Sequence, residues 1–76
     1  MNAYTDILDL ENDYRNTIKR LRQDINKLEQ LSNNLNDKDT IIVIKNQIST
    51  LKNFMIILID DLEDIIDGKA PRSLLI

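Results

Sequence analysis

The chain has 76 residues, with 13 acidic and 10 basic side chains and a formal net charge of −3. A single domain this short buries only about 60% of its unfolded surface, so its stability usually needs disulfides, a metal, very regular helices or self-association. Cysteine and histidine are both absent, which excludes disulfides, thiolate-bound zinc and the commonest general base.

The first predicted element is an amphipathic helix spanning residues 3–35. Its apolar residues recur at steps of three and four, as expected for one face of a helix, and Glu11 and Ser32 interrupt the pattern near the two ends. The stripe consists of Tyr4, Ile7, Tyr14, Ile18, Leu21, Ile25, Leu28 and Leu35.

A polar turn over residues 36–39 and a second helix over residues 40–67 follow. Asp39 is predicted to cap the start of this helix, while Gly68 and Pro71 stop it. Steps of three and four again define an apolar stripe, at the average spacing that keeps a stripe against a partner helix. Its members are Ile41, Ile44, Ile48, Leu51, Met55, Leu58, Leu62 and Ile65.

A connection this short places the two helices antiparallel. Residues 1–68 are therefore predicted to form an all-α helical hairpin, followed by an apolar tail over residues 69–76. The predicted register pairs apolar residues on both sides. Its first rungs are Leu31 with Ile44, Leu28 with Ile48, and Ile25 with Leu51, and its last are Ile18 with Leu58 and Tyr14 with Leu62.

The second helix carries more apolar residues than one neighbour can cover, most densely in the run "FMIILI" from residue 54. A patch of this kind exceeds what soluble monomers normally expose. We therefore expect hairpins to associate into a homodimer resembling a four-helix bundle, or into a higher oligomer. The alternative is a monomer with a different loop arrangement and its tail folded over the patch. The predicted oligomer interface is Ile42, Phe54, Ile56, Ile57, Ile59 and Ile66.

Carboxylates follow this run and are predicted, together with the end of the tail, to bind a partner protein. These residues are Asp60, Asp61, Glu63, Asp64, Asp67, Leu74, Leu75 and Ile76. A solvated, solubilising acidic end and an unspecific divalent-cation site are the alternatives for the carboxylates. For the tail, the alternatives are packing against Leu8 and Leu10 of its own or a neighbouring chain, capture by a partner, or fraying.

Three basic residues, Arg15, Lys19 and Arg22, are spaced to lie on one face of the first helix. They indicate an alternative function, a hairpin dimer that binds RNA or DNA. Two observations argue against it. The chain is acidic, and the face has no aromatic residue on which bases could stack.

One stretch, "LRQDINKLEQL" (residues 21–31), resembles the first-helix signature of the all-helical chorismate mutases. That resemblance implies an intertwined helical dimer whose arginines and lysine bind a dicarboxylate. The sequence departs from the signature where Asn26 replaces an aspartate, and the chain is too short for the other helices of that family. We therefore expect no enzyme, no cofactor and no metal.

The sequence as a whole predicts a small non-enzymatic interaction module, such as a regulator, inhibitor or assembly factor, in the cytoplasm. No membrane span is expected, because the longest apolar run has six residues and a span needs about 20. Thirteen isoleucines and nine asparagines favour an AT-rich source, such as a low-GC bacterium, its phage or another virus. Fold-level likeness to bacteriocin immunity proteins and to small plasmid RNA-binding hairpins, or a purely structural assembly role, are further alternatives.

Overall fold

The computed structural model describes residues 7–75, which form two long helices and a short 3-10 turn. Helix α1 spans Ile7–Asn33, helix α2 spans Lys38–Ile66, and the 3-10 turn spans Arg72–Leu75. This part of the chain contains no strand, so the all-helical hairpin predicted from the sequence is confirmed. Some predictions lie outside the described residues. They concern the start of the first helix at residue 3, Tyr4, Ile76 and the side chain of Leu75.

The buried apolar core runs along the hairpin, where the two apolar stripes meet. It consists of Ile18, Leu21, Ile25, Ile44, Ile48 and Ile65. Near the turn, Ile25, Ile44 and Ile48 form a cluster, against which four partly buried side chains pack: Leu28, Leu35, Leu51 and Met55. Burying one aliphatic side chain of this size contributes about 1.5–3 kcal/mol, so these residues supply the apolar stabilisation of the two-helix unit.

The predicted rung between Leu31 and Ile44 is wrong. Leu31 is 48% exposed, whereas Ser32 is buried beside the core. The reason is helical periodicity: steps of three and four from Ile25 and Leu28 lead to position 32, so Leu31 falls on the flank of α1. The polar residue that interrupts the stripe therefore still occupies the inner face.

The helix cap also differs from the prediction. The N-cap of α2 is Asp37 and not Asp39, so the helix begins at Lys38. One Asp37 oxygen accepts the backbone N–H of Asp39 at 3.2 Å, and the other accepts the hydroxyl of Thr40 at 2.6 Å. Asp37 thus satisfies two donors, while Asp39 lies in the first turn, where its negative charge faces the positive end of the helix dipole.

Helix α2 ends in a Schellman motif around Gly68. Gly68 has a φ of 77°, its N–H donates to the carbonyl of Ile65 at 3.0 Å, and the N–H of Lys69 donates to the carbonyl of Asp64 at 2.8 Å. This left-handed residue reverses the chain, and the buried Pro71 follows. The 3-10 turn is thereby directed back onto α2, the helix against which it packs.

Candidate functional site

The open end of the hairpin is held together by two carboxylates of α2. Asp61 is 1% exposed and Asp64 is 8% exposed. Asp61 accepts the hydroxyl of Tyr14 at 3.3 Å, the backbone N–H of Ser73 at 3.0 Å and the Ser73 hydroxyl. A buried carboxylate is tolerated only when donors replace its lost hydration, and here three donors surround Asp61.

Asp64 binds Arg72 at three points. Its oxygens accept the backbone N–H of Arg72 at 3.0 Å and the guanidinium Nε and Nη2, each at 2.9 Å. The hydrogen bond from the Arg72 guanidinium lowers the pKa of Asp64 to about 2, from its ordinary 3.8. Burial alone would raise this pKa. The backbone N–H of Arg72 and the positive charges of Arg72 and Lys69 lower it further. The pKa of Arg72 is raised in turn by Asp64. We call residues 68–75, bound in this way, the C-terminal hook.

The predicted partner-binding carboxylates fall into two groups, those that bind the hook and those that do not. Asp61 and Asp64 have their oxygens engaged within the chain, so this conformation does not offer them to a partner. Glu63 and Asp67 are exposed, and Asp60 is half-buried at 3.9 Å from the guanidinium of Arg72. Partner binding by these three residues stays a prediction.

Sequence reasoning placed Tyr14 at this end only as an apolar partner of Leu62, and it did not identify Arg72 and Ser73 as residues that bind these carboxylates. Two carboxylates three positions apart on α2, followed after a helix stop by an arginine and a serine, are the signal that could have predicted the hook. The described part of the tail is bound through these polar groups. Leu74 is 73% exposed and Leu8 is also exposed, so the predicted packing of the tail on Leu8 is not observed for Leu74.

The second surface consists of the apolar residues on the two flanks of α2 that α1 does not cover. Six of its large apolar side chains are 47–57% exposed: Ile42, Val43, Phe54, Ile56, Ile57 and Ile66. Ile59 is half-buried. Six of these seven residues, all except Val43, were predicted to form an oligomer interface, and the structure places all of the predicted set outside the buried core.

Helix α2 is also long and apolar enough to cross a membrane, judged by length and composition. An 18-residue window in it has a mean hydropathy of 1.3, and 11% of that window is buried. One such helix is weak evidence for a span, because an apolar helix inside a soluble assembly passes the same test. The low burial nevertheless indicates that α1 alone does not cover this helix.

The third surface is a basic groove on one side of α1. Arg15, Lys19 and Arg22 line it together with Gln23, and Ile18 and Leu62 form its floor. All three cations are exposed, and none has an ion-pair partner within the described residues. The structure thus brings the three predicted residues together along one open groove.

No protein-family model matches the chain, and neither the curated proteins nor the solved structures contain a match to it. The resemblance of residues 21–31 to chorismate mutases therefore depends on that stretch alone. Within the described residues no group of three or more carboxylates is placed to hold a metal ion. Function must be inferred from the three surfaces.

Proposed function

We propose that the protein is a small non-enzymatic interaction module in which helical hairpins self-associate and present their open ends to a partner protein. The observation that carries this proposal is the apolar surface on the two flanks of α2, where six large side chains are about half exposed. Covering each one contributes about 0.8 kcal/mol per buried CH₂, and a hairpin with so small a core gains stability from that cover.

The open end supports the second part of the proposal. The hook neutralises part of the charge of Asp64 with Arg72, but Glu63, Asp67 and the hook residue Leu74 are exposed at the same end of the hairpin. An end that exposes both carboxylates and an apolar side chain suits a partner with a basic rim around a small apolar pocket. The most direct candidates for contact are Asp60, Asp67 and Leu74.

Self-association is tested by sedimentation equilibrium over a dilution series. We expect the wild type to dissociate on dilution and Ile56→Asp to be monomeric at concentrations where the wild type is dimeric, because a charge replaces an exposed apolar contact. Gln30→Asp, an exposed change of the same charge on α1, is the matched control and should leave the assembly unchanged. A wild-type chain that stays monomeric and folded at every concentration contradicts the proposal.

The purified protein can also be tested for two other roles of the apolar surface, lipid binding and open-ended assembly. Flotation with neutral phosphatidylcholine vesicles tests lipid binding, and we expect the chain to stay with the soluble fraction. Light scattering across the dilution series tests a purely structural building block, whose assemblies would keep growing beyond a dimer. Retention on vesicles or open-ended growth would each replace the proposal with the corresponding role.

Partner binding is tested by affinity capture from the native cell followed by mass spectrometry. Capture by the wild type is compared with capture by a double variant, Asp60→Asn with Asp67→Asn, which leaves the hook carboxylates intact. We expect a protein retained by the wild type and lost with the double variant. If the two chains retain the same proteins, the acidic end is not the docking surface.

The basic groove supports one second candidate, binding of RNA or DNA. Phosphate contacts by Arg15, Lys19 and Arg22 would make affinity fall steeply with salt. Reversing all three charges to glutamate should then abolish retention in a mobility-shift assay. Reversing Arg20, Lys27 and Lys38, which are exposed and change the net charge equally, is the control and should reduce retention much less.

A further inference from the structure

We infer that the partner of α2 is a second copy of this chain, packed antiparallel along one side of the helix. The inference depends on the self-association proposed above and specifies its geometry. The side in question, called here the outer stripe, is defined by residues that follow one another in steps of three and four. They are Ile42, Lys45, Ser49, Lys52, Ile56, Ile59, Glu63 and Ile66.

This spacing averages 3.5 residues, so the outer stripe stays on one side of α2 and can follow a partner helix along its length. It is distinct from the stripe that packs on α1, to which the buried Ile44 and Ile48 belong. Ile42, Ile56 and Ile66 are about half exposed in the hairpin. Nothing within the described chain covers them.

The ends of the outer stripe are complementary when one copy is reversed against the other. With the centre of symmetry near residue 54, Ile42 lies opposite Ile66 of the second copy. One step inward, Lys45 lies opposite Glu63 of the second copy. The reversed stripe therefore pairs apolar with apolar and cation with anion at both ends, and each pairing occurs twice by symmetry.

The middle of the stripe is compatible with the same register. Ser49 lies opposite Ile59 of the second copy, a small residue against a large one, which allows close approach. Lys52 lies opposite Ile56, and its ammonium is already drawn aside by Glu29 of its own α1 at 3.2 Å. Its methylene stem can then cover the isoleucine while the charge stays in solvent.

A parallel pairing in register would have the opposite electrostatics. It would set Lys45 against Lys45, Lys52 against Lys52 and Glu63 against Glu63, and like charges at such positions are destabilising. In a parallel pair the macrodipoles of the two α2 helices would also lie side by side and point the same way, which is unfavourable. In an antiparallel pair they point in opposite directions. Charge therefore selects the antiparallel orientation.

The opposite flank of α2 does not select an orientation in this way. Val43, Phe54 and Ile57 are exposed there, but the neighbouring positions Gln47 and Thr50 are neutral. Farther along the same flank come Asp61 and Asp64, whose oxygens bind the hook. The outer stripe is thus the side of α2 on which apolar contact and charge agree.

A charge swap tests the pairing directly by sedimentation equilibrium. Lys45→Glu and Glu63→Lys should each weaken the dimer roughly tenfold, because each single change creates two repulsive contacts in place of two attractive ones. The double variant should return to within about threefold of the wild type, since the pairs are restored in reverse. Lys27→Glu, an exposed residue of α1 outside the stripe, is the control and should change little.

Distances between spin labels test the orientation independently, and the absence of native cysteine makes labelling specific. Asn46 and Asn53 are exposed and lie on the same side of α2. In the antiparallel dimer, Asn46→Cys labels are offset by about 24 Å along the helix axis and Asn53→Cys labels by about 3 Å. In a parallel dimer in register neither pair is offset, so both give the same short distance.

Different results contradict self-association and the antiparallel geometry. A chain that is monomeric throughout removes self-association and this geometry together. A dimer that shows equal distances at both labels, or a double variant that remains as weak as the single ones, removes the antiparallel stripe alone. Circular dichroism of each variant establishes that a weaker dimer still consists of folded hairpins.

Discussion

The two ends of the hairpin are stabilised by different kinds of interaction. At the turn end, Ile25, Ile44 and Ile48 bury apolar surface, and Asp37 caps the following helix. At the open end, two carboxylates of α2 bind Tyr14 of α1 and the backbone and side chains of the hook. Both ends bury apolar side chains, among them Ile18 and Ile65 towards the open end, but only the open end adds buried carboxylates with directed hydrogen bonds.

The difference matters because the two interactions specify different things. Apolar contact is non-directional, so isoleucines in a stripe tolerate small shifts of one helix along the other. A carboxylate that accepts three donors fixes the positions of all three. The hydrogen bonds of the open end therefore determine where the tail lies and which atoms of α1 face α2, which apolar contact alone does not fix.

The largest expected effect is at the turn end. Ile48→Ala should lower the free energy of unfolding by about 3 kcal/mol, because it removes buried methyl groups and leaves a cavity in a small core. Urea unfolding at a fixed protein concentration measures it, since association alters apparent stability. Leu8→Ala, an exposed change on α1, should cost less than about 0.5 kcal/mol. Equal losses would show that the buried cluster is not the core.

The matching change at the open end is Asp61→Ala, which leaves the Tyr14 hydroxyl and both Ser73 donors without their acceptor. We expect a loss of about 2 kcal/mol and fast hydrogen exchange at the Ser73 amide. Amides around Ile25 should stay protected. Tyr14→Phe removes one of the three donors and should give a smaller loss with the hook still in place. Unchanged exchange at Ser73 in Asp61→Ala would contradict the hook.

A smaller effect is expected where the hook begins. Gly68→Ala should cost about 1 kcal/mol, because a side chain at a φ of 77° is strained although a Cβ there would meet no atom within 4 Å. Gly68→Asn should cost less, since asparagine adopts the left-handed region more readily. Thermal unfolding of the three chains measures the order. An alanine variant as stable as the wild type would exclude the left-handed turn.

The smallest change is a pH effect confined to the open end. The folded-state pKa of Asp64 is about 2, below its ordinary 3.8, so its contribution to stability is present above pH 4 and is lost as pH falls towards 2. Arg72 is largely exposed, and solvent screening keeps the contribution modest. NMR titration of the Asp64 carboxyl should show this pKa returning towards 3.8 in Arg72→Leu. An unchanged titration would mean that Arg72 does not bind Asp64.

Much of the turn end could be predicted from the sequence. Steps of three and four and a short polar connection were sufficient for the all-helical hairpin and for the membership of its core. The exceptions lay within one or two residues of the turn: Leu31 was placed inside, and Asp39 was chosen as the cap in place of Asp37. Local signals at neighbouring positions are too similar to separate such cases.

The open end could be predicted less well. The acidic residues and the tail were each recognised, but as separate features that bind a partner, and Asp61 and Asp64 were not connected to Arg72 and Ser73. Their pairing depends on the chain reversing at Gly68, which brings residues eight and twelve positions apart into contact. Sequence spacing carries no periodic signal for a contact of that kind.

The sequence by itself determined two amphipathic helices and their antiparallel connection, because helical periodicity and turn chemistry are local properties of the chain. Only the tertiary structure decided which carboxylates are buried and what they bind. Those outcomes depend on the reversal of the chain at Gly68, which brings the hook onto α2. Burial is a property of the assembled surface, and no single segment of the chain contains it.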